Sequence, residues 1–247
     1  MRVIYGINPV TEALRAQGDS IDRVYISEAR ADRVVEEIIK IAKTKTIPVS
    51  KVPKQELERL AGTKNHQGVA ASFYGEFSYA DIEDLIGGWK KTGEPAFFLI
   101  LDSIQDPQNL GSLIRASVAA GVHGIIIPKD RATEVTPVVV KASAGTVARA
   151  RIARETNLTR AIERLKKENI WVAGVEAGCR EDIYAADLDR DLAIVVGSEG
   201  KGIRRLVLEN CDFCVTIPMA GGLNSLNAAQ AGAIALFEAR RQRLHKK

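Results

Sequence analysis

Three polar, glycine-containing segments follow apolar stretches that are typical of strands, and they carry side chains suited to binding a charged ligand. The first segment covers residues 102–115, where Asn109 and Arg115 lie near the start of a predicted helix that ends at Gly121. A planar guanidinium group can hold a phosphate or a ribose edge. Helix capping by Asn109 and an ordinary surface charge at Arg115 explain this segment equally well.

The second segment covers residues 194–203, where a strand runs into a turn that contains Gly197, Gly200 and Gly202. Glycines allow a backbone to approach a bound ligand closely. The spacing differs from the dinucleotide-binding fingerprint, so a phosphate loop of that type is disfavoured. Glu199 would repel a phosphate but suits a positively charged ligand such as a sulfonium. A plain tight turn is the alternative interpretation.

The third segment covers residues 217–227 and leads into the last helix. Ser225 and Asn227 can exchange hydrogen bonds with a ligand, or they can serve only as a helix cap and a structural hydrogen bond. The helix that follows is rich in small residues. It is expected to pack closely against a crossing loop or a partner subunit, although its composition also simply favours a helix.

The cysteines Cys179, Cys211 and Cys214 are odd in number, so a disulfide framework is not expected. Cys211 and Cys214 form a C-x-x-C pair, but no second pair completes a zinc site. We therefore predict buried thiols and no metal.

The composition is that of a globular protein, with 46% hydrophobic and 27% charged residues. The net charge is +4, and residues 1–74 contain 12 Lys and Arg against 9 Asp and Glu. This mild basic bias permits nucleic-acid binding. No membrane span or secretory leader is predicted, so a cytoplasmic location is expected.

The elements that must position the three segments form two blocks. Residues 1–75 alternate between strands and helices and form a small α/β unit, and residues 76–95 carry the glycines and proline of a linker around a short helix. From residue 96 onward, continuous apolar strands alternate with helices, which favours a parallel sheet covered on both faces. These strands are predicted at residues 97–101, 124–127, 149–153, 171–176, 192–196 and 213–217.

Residues 106–115, 197–202 and 217–227 together resemble the three signature motifs of the SpoU (TrmH) family within the SPOUT class of RNA methyltransferases, in the same order and spacing. Tyr5 and Gly6, and residues 65–68, are similar to the subgroup that methylates guanosine in bacterial 23S ribosomal RNA. The resemblance covers essentially the whole chain. It departs from the usual pattern at residues 228–230, where Gln230 is expected to affect cofactor-pocket or dimer packing.

The resemblance implies an α/β fold: a small L30e-like domain over residues 1–75, a linker over 76–95, and a SPOUT-type parallel sheet with a C-terminal trefoil knot over 96–247. It implies S-adenosylmethionine as cofactor, ribosomal RNA as partner, a homodimer built on the last helix, and methylation of a ribose 2′-hydroxyl. A tRNA substrate is the alternative within the family.

The resemblance also implies site residues. Those expected at the cofactor are Gly197, Gly200, Ile217, Met219 and Leu226. Those expected in catalysis are Asn109, Arg115, Glu199, Ser225 and Asn227. Those expected to contact RNA are Lys64, His66, Gln67 and Arg115. In this scheme Arg115 grips the ribose and adjacent phosphate, and Glu199 orients either Arg115 or the ribose. The proton acceptor is either that arginine or a phosphate-assisted path.

Two functions from other classes compete with this assignment. A non-catalytic RNA-binding protein would account for the basic first unit but would leave three glycine-rich polar segments without a role. A nicotinamide-dependent dehydrogenase would need a different glycine spacing and an acidic residue about 20 positions after the glycines.

Overall fold

A computed structural model describes residues 2–16, 21–73, 77–221 and 225–245. The chain divides into two compact units. The first combines Met1–Ser78 with Glu134–Arg149, and the second combines Tyr79–Thr133 with Ala150–Lys247.

The first unit is a four-stranded sheet with helices. Its strands are β1 (Arg2–Tyr5), β2 (Ile21–Ser27), β3 (Val49–Val52) and β4 (Val69–Phe73), in the order β1-β4-β2-β3. Its helices are α1 (Ile7–Ala16), α2 (Arg33–Thr44), α3 (Lys54–Ala61) and α6 (Pro137–Ala142), the last followed by a 3₁₀ turn at Thr146–Arg149. Only β2 and β3 pair in parallel; β4 pairs antiparallel with both β1 and β2.

Helix α2 shows how the sequence specifies this unit. The Asp32 carboxylate accepts hydrogen bonds from the backbone N–H of Val34 and Val35, which satisfies two donors at the start of the helix. Val35, Ile38 and Ala42, which are spaced to share one face of the helix, are buried. The neighbouring Val34 is 41% exposed.

The second unit is built on seven strands. They are β5 (Phe97–Asp102), β6 (Gly124–Pro128), β7 (Ile152–Glu155), β8 (Trp171–Val175), β9 (Glu181–Asp182), β10 (Leu192–Gly197) and β11 (Phe213–Thr216). Its helices are α4 (Ile82–Lys90), α5 (Pro107–Ala120), α7 (Leu158–Lys167), α8 (Arg205–Glu209) and α9 (Ala228–Leu244).

All pairings in this sheet are parallel, in the order β7-β6-β5-β10-β8-β11-β9, which confirms the predicted parallel α/β fold. Strands β5 and β10 are buried along their whole length, as expected for central parallel strands. One face of the sheet packs against α4 and α7, through side chains such as Leu85 and Ile162. Helices α5 and α9 pack against each other, with Leu113 close to Gly232.

The structure corrects the predicted linker of residues 76–95. Residues 79–95 belong to the second unit, because Ile82, Leu85 and Ile86 of α4 are buried in its core. Residues 134–149 belong to the first unit, although the sequence alone assigned them to the catalytic domain. There Lys141 lies over the ring of Tyr5, 5.1 Å from its centre. The strand predicted to begin at residue 149 begins at Ile152, because Thr146–Arg149 forms the 3₁₀ turn.

The prediction of unpaired cysteines is wrong for two of the three. Cys179 and Cys214 form a disulfide, with a Cα–Cα distance of 5.7 Å. They lie close because β11 pairs with β8, whose end leads to Cys179, and a distance of this size suits a disulfide. Cys211 is the free cysteine, and burial raises the pKa of its thiol to about 12.

Within the described ranges, no helix is long and apolar enough to cross a membrane. Residues 2–16, 21–73, 77–221 and 225–245 also contain no group of three or more His, Cys, Asp or Glu side chains that could hold a metal ion.

Candidate active site

The carboxyl ends of β5 and β10 are neighbours in the centre of the second sheet, with Asp102 paired in register with Gly197. The chain leaves β5 toward β6 on one side, whereas it leaves β10 toward β11 on the other. Such a point, where connections diverge, opens a crevice in which parallel sheets bind ligands. The first two predicted segments both begin here.

The start of helix α5 leaves the side chain of Asn109 available for other contacts. The Asp106 carboxylate caps the helix by accepting hydrogen bonds from the backbone N–H of Gln108 (3.1 Å) and Asn109 (3.3 Å), and Pro107 occupies the first turn. Helix capping by Asn109, one of the interpretations left open by the sequence, is therefore excluded for its side chain.

Asn109, Glu199 and Asn227 form one hydrogen-bonded group, here called the polar cluster. The Asn227 amide nitrogen donates to the Asn109 amide oxygen at 2.9 Å. Both amide nitrogens also approach the same Glu199 carboxylate oxygen at 3.4 Å. Asn109 is buried, whereas the amide oxygen of Asn227 caps helix α9 by accepting from the N–H of Ala229. The three predicted segments therefore converge in space.

The glycine turn after β10 is held by close backbone contacts. Ser198 and Gly202 exchange two backbone hydrogen bonds, of 3.1 and 2.9 Å. A Cβ atom on Gly197 would lie 2.1 Å from the carbonyl carbon of Gly202. The turn therefore needs glycine at position 197 for its own packing, whatever it binds.

Glu176, at the end of β8, braces the same turn and was not found from the sequence. Its carboxylate accepts a 2.7 Å hydrogen bond from the N–H of Ile203. Gly202 has a φ of +64°, and a Cβ atom there would lie 2.4 Å from the Glu176 carboxylate. A glutamate at the end of an apolar strand gives no signal of such a contact in the sequence. The pairing of β8 with β10 brings it to this turn.

A cavity of about 300 Å³ lies between the glycine turn and the third segment, and we call it the turn cavity. The predicted residues Glu199, Gly200, Ile217, Met219, Ser225 and Leu226 line it. Glu176, Thr216, Ala228 and Ala231 also line it. Gly197 does not. Of the residues that depart from the usual motif, Ala228 lines this cavity, while the side chain of Gln230 is exposed.

A second cavity, of about 370 Å³, lies at the ends of β5 and β10, and we call it the switch-point cavity. It shares Ser198, Glu199, Lys201 and Gly202 with the turn cavity. Asn109 lines it as well, so the polar cluster stands at the junction of the two spaces.

An ion pair between a buried carboxylate and a partly exposed arginine, at the end of β5, was also missed from the sequence. The Asp102 carboxylate is fully buried and accepts hydrogen bonds from the backbone N–H of Arg204 (2.8 Å), from its Nε (2.7 Å) and from the Ser103 hydroxyl (3.0 Å). The signal in the sequence was an acidic residue that ends a wholly apolar strand. Its partner lies 102 positions later in the chain.

Arg115 is exposed on α5 and lines neither cavity. Within this single chain, the structure therefore does not bring Arg115 together with the polar cluster. Its predicted role stays a prediction.

Three of the four residues predicted to contact RNA, Lys64, His66 and Gln67, lie before β4 in the first unit. The fourth, Arg115, is on α5 of the second unit. Lys64 and Gln67 are exposed, and the Gln67 amide oxygen accepts a 3.0 Å hydrogen bond from the N–H of Ile7. The imidazole of His66 is buried and accepts at Nδ1 from the N–H of Gly68, at 2.9 Å. Desolvation lowers the pKa of His66 below its usual 6.5. His66 is therefore buried in this conformation, and its contact with RNA stays a prediction.

Comparison with protein families gives two matches that together cover most of the chain. Residues 96–237 match the SpoU rRNA methylase family. Residues 3–75 match the family described as RNA 2′-O ribose methyltransferase substrate binding.

Individual relatives agree with these matches. The Bacillus subtilis protein YacO, assigned to the TrmH family of tRNA/rRNA methyltransferases, is 41% identical over 240 residues, which cover 97% of this chain and 95% of that protein. A relative of the same description from Staphylococcus aureus is 42% identical over 241 residues, which cover 98% of this chain and 96% of the relative.

Two solved structures share the fold. The SpoU methyltransferase AviRb from Streptomyces viridochromogenes, in complex with the cofactor AdoMet, superposes with a TM-score of 0.81 at 23% identity, covering 98% of this chain and 90% of that one. The AdoMet-bound rRNA methyltransferase from Sinorhizobium meliloti superposes with a TM-score of 0.78 at 26% identity, covering 98% and 87%.

The fold and site define a parallel α/β enzyme with a ligand site where the connections of its sheet diverge. The chain belongs to the SpoU family of RNA methyltransferases and is an RNA 2′-O-ribose methyltransferase that takes its methyl group from S-adenosylmethionine. The turn cavity fits that donor in size and chemistry. It offers apolar walls from Ile217, Met219 and Leu226 and the carboxylates of Glu176 and Glu199, which suit a sulfonium cation.

Proposed function

We propose that this enzyme methylates the 2′-hydroxyl of a guanosine in 23S ribosomal RNA. The observation that carries the proposal is the polar cluster, which joins Asn109, Glu199 and Asn227 at the junction of the two cavities. The target follows from the likeness of the sequence to the subgroup with that substrate, and the relatives' shared description as tRNA/rRNA methyltransferases makes tRNA the alternative to be tested.

In this proposal the donor's sulfonium supplies an activated methyl group, so the protein must position the ribose hydroxyl and help remove its proton. Asn109 and Asn227 hold the ribose through amide groups that already face each other. Ser225, which lines the turn cavity, binds the carboxylate end of the donor. Glu199 lies within reach of both amides and orients them.

Arg115 grips the ribose and its phosphate, and it does so across a subunit boundary. The side chain is exposed and outside both cavities of its own chain, which supports a role in the site of a second copy. A guanidinium close to the ribose favours loss of the hydroxyl proton, with an RNA phosphate or the arginine itself as acceptor.

The homodimer is built on α9. This helix exposes Phe237 (48%) and Leu244 (64%), which are seven positions apart and therefore near one face. Large exposed apolar side chains on one helix face are typical of an interface. The same proposal includes a C-terminal trefoil knot, an L30e-like RNA-holding domain over residues 1–75 and a cytoplasmic location.

The substrate is tested by methylation with labelled S-adenosylmethionine of 23S ribosomal RNA, 16S ribosomal RNA and bulk tRNA, followed by mapping of the modified ribose. We expect one 2′-O-methylguanosine in 23S RNA. A modified tRNA with unmodified 23S RNA would overturn the rRNA proposal and leave the family assignment intact.

The shared site is tested with two inactive variants. Arg115→Ala and Glu199→Gln are each expected to lower the single-turnover rate by at least a hundredfold at saturating RNA. If Arg115 serves the partner's site, mixing the two variants in equal amounts restores up to a quarter of the wild-type activity. Half of the dimers are then mixed, and each mixed dimer contains one intact site of two. Near wild-type activity of Arg115→Ala would show that the role proposed for Arg115 is wrong.

The dimer is tested by sedimentation at micromolar concentration. Phe237→Lys is expected to give monomers and to lose methylation, whereas Tyr184→Lys, which changes a similarly exposed aromatic residue (55%), is expected to leave the dimer intact. A monomeric wild-type protein would contradict the proposal.

A further inference from the structure

The switch-point cavity continues into a third cavity, of about 500 Å³, which we call the basic cavity. Arg131 and Arg204 line both cavities and so connect them. The basic cavity is also lined by Arg205 and by the polar residues Thr156, Asn157 and Thr159, and no acidic residue is among its lining residues. Of these two cavities, only the switch-point cavity is lined by acidic groups, which are Asp106 and Glu199.

Arg204 is fixed in place by a carboxylate that cannot reach solvent. Its Nε and backbone N–H both bind Asp102, which is fully buried, while 44% of the Arg204 side chain is exposed. Among the described residues, no partner accepts a hydrogen bond from its two Nη groups. A guanidinium held at one edge presents its other donors in a fixed direction, which is the arrangement that binds a phosphate.

Arg131 lies on the loop after β6 and is exposed. Its φ is +60°, which is uncommon for a residue other than glycine or asparagine. Ser103, which lines the switch-point cavity, has a φ of +63°. Backbone in this region costs free energy and is found preferentially where a binding or catalytic group must be held.

We propose that Arg131 and Arg204 form a phosphate clamp for the RNA strand next to the methylated nucleotide, with Asp102 as the positioning residue for Arg204. The clamp concerns the RNA substrate of the proposed function and rests on that function. It would direct the strand from the polar cluster, through the switch-point cavity, into the basic cavity, where the absence of lining carboxylates favours a phosphodiester. The contacts are to the backbone, so they set affinity and register and not base identity.

The test is binding of a labelled RNA fragment that the wild-type dimer methylates, measured as a function of KCl concentration. Each lost contact to a single-stranded phosphate lowers the slope of log K against log salt by about 0.7. We expect this change, and a five- to twentyfold higher Kd, for Arg131→Gln and for Arg204→Gln. Arg164→Gln is the matched control, because Arg164 pairs with Glu83 on the surface and lines none of these cavities.

Arg131→Gln is the decisive variant, because Arg204→Gln leaves the Asp102 carboxylate buried without its charged partner and can unfold the chain. The dissociation constant for S-adenosylmethionine is measured in parallel and is expected to stay within twofold of wild type for Arg131→Gln. An unchanged salt slope and Kd for Arg131→Gln, in a wild-type background that methylates the fragment, would overturn the clamp alone. Equal weakening of donor binding would assign the arginines to the donor site and also overturn it. A wild-type protein that neither binds nor methylates RNA would overturn the clamp and the proposed function together.

Discussion

The side-chain amide of Asn227 donates a 2.9 Å hydrogen bond to the amide oxygen of Asn109, 118 positions earlier in the chain. The same Asn227 side chain caps helix α9, so one residue both begins the last helix and ties it to the start of α5. The two functions can be separated by substitution.

Asn227→Ala and Asn227→Ser are expected to differ from each other in stability but to lose activity to the same extent. Both variants lose the hydrogen bond to Asn109, so both should lower the single-turnover methylation rate at least tenfold. Serine still caps a helix, whereas alanine costs about 1 kcal/mol of stability. Thermal melts and rate measurements on the same preparations check this. Equal rates for Asn227→Ser and wild type would show that the link to Asn109 is only structural.

Glu199→Gln is expected to weaken binding of S-adenosylmethionine about tenfold while leaving S-adenosylhomocysteine binding nearly unchanged. The reason is that only S-adenosylmethionine carries a positive charge, so only its binding loses attraction when the nearby carboxylate is removed. A tenfold loss of affinity corresponds to about 1.4 kcal/mol. Calorimetric titration with both ligands measures the ratio. The control is Glu209→Gln, because Glu209 pairs with Arg205 at the surface and lines neither the turn cavity nor the switch-point cavity. Equal weakening of both ligands by Glu199→Gln would mean that its charge does not face the sulfonium.

Gly202→Ala is expected to abolish donor binding while most of the chain stays folded. The new methyl group would meet the Glu176 carboxylate at 2.4 Å, at a φ of +64° that already disfavours side chains. Gly62→Ala is the matched control, because its φ is +65°, no atom lies within 4 Å of its Cβ position, and it lies outside the turn cavity. In that control variant the only expected loss of stability is the cost of a left-handed backbone conformation, about 1 kcal/mol. Circular dichroism and calorimetry together report on fold and binding, and donor affinity equal to wild type in Gly202→Ala would contradict the packing argument.

Thiol titration of the unfolded chain without reductant is expected to find one reactive thiol, that of Cys211, and three after reduction. Closing a loop of this length in the unfolded chain favours the folded state by about 3 to 4 kcal/mol. Cys179→Ser should therefore lower the Tm of the oxidised protein and have little effect on the reduced protein. Three thiols before reduction, in protein prepared under air, would show that the pair does not form a bond in solution.

His66→Asn is expected to make the stability of the protein less dependent on pH between 5 and 7.5. Desolvation lowers the pKa of folded His66 below 6.5, so the unfolded chain takes up the proton first. The stability that the neutral imidazole contributes is present above pH 6.5 and is lost as the pH falls toward the lowered pKa. Asparagine keeps an acceptor for the N–H of Gly68 but does not titrate. Melts across this range measure the slope; His123, whose pKa desolvation also lowers, leaves a residual slope in the variant.

Much of the second unit could be predicted because its signals are local. Continuous apolar runs marked β5 and β10, and Pro107 with Gly121 marked the ends of α5. The motif residues Glu199 and Leu226 were found because their types and spacing are characteristic of a family, and that likeness is independent of any contact.

Only the tertiary structure decided which distant groups meet. Glu176 reaches the glycine turn because β8 pairs with β10, Asp102 reaches Arg204 because β5 pairs with β10, and Cys179 reaches Cys214 because β11 pairs with β8. Strand order in a parallel sheet is set by how whole elements bury their apolar faces, not by neighbouring residues. A sequence therefore specifies each strand locally, while the partners at the strand ends exist only once the sheet has formed.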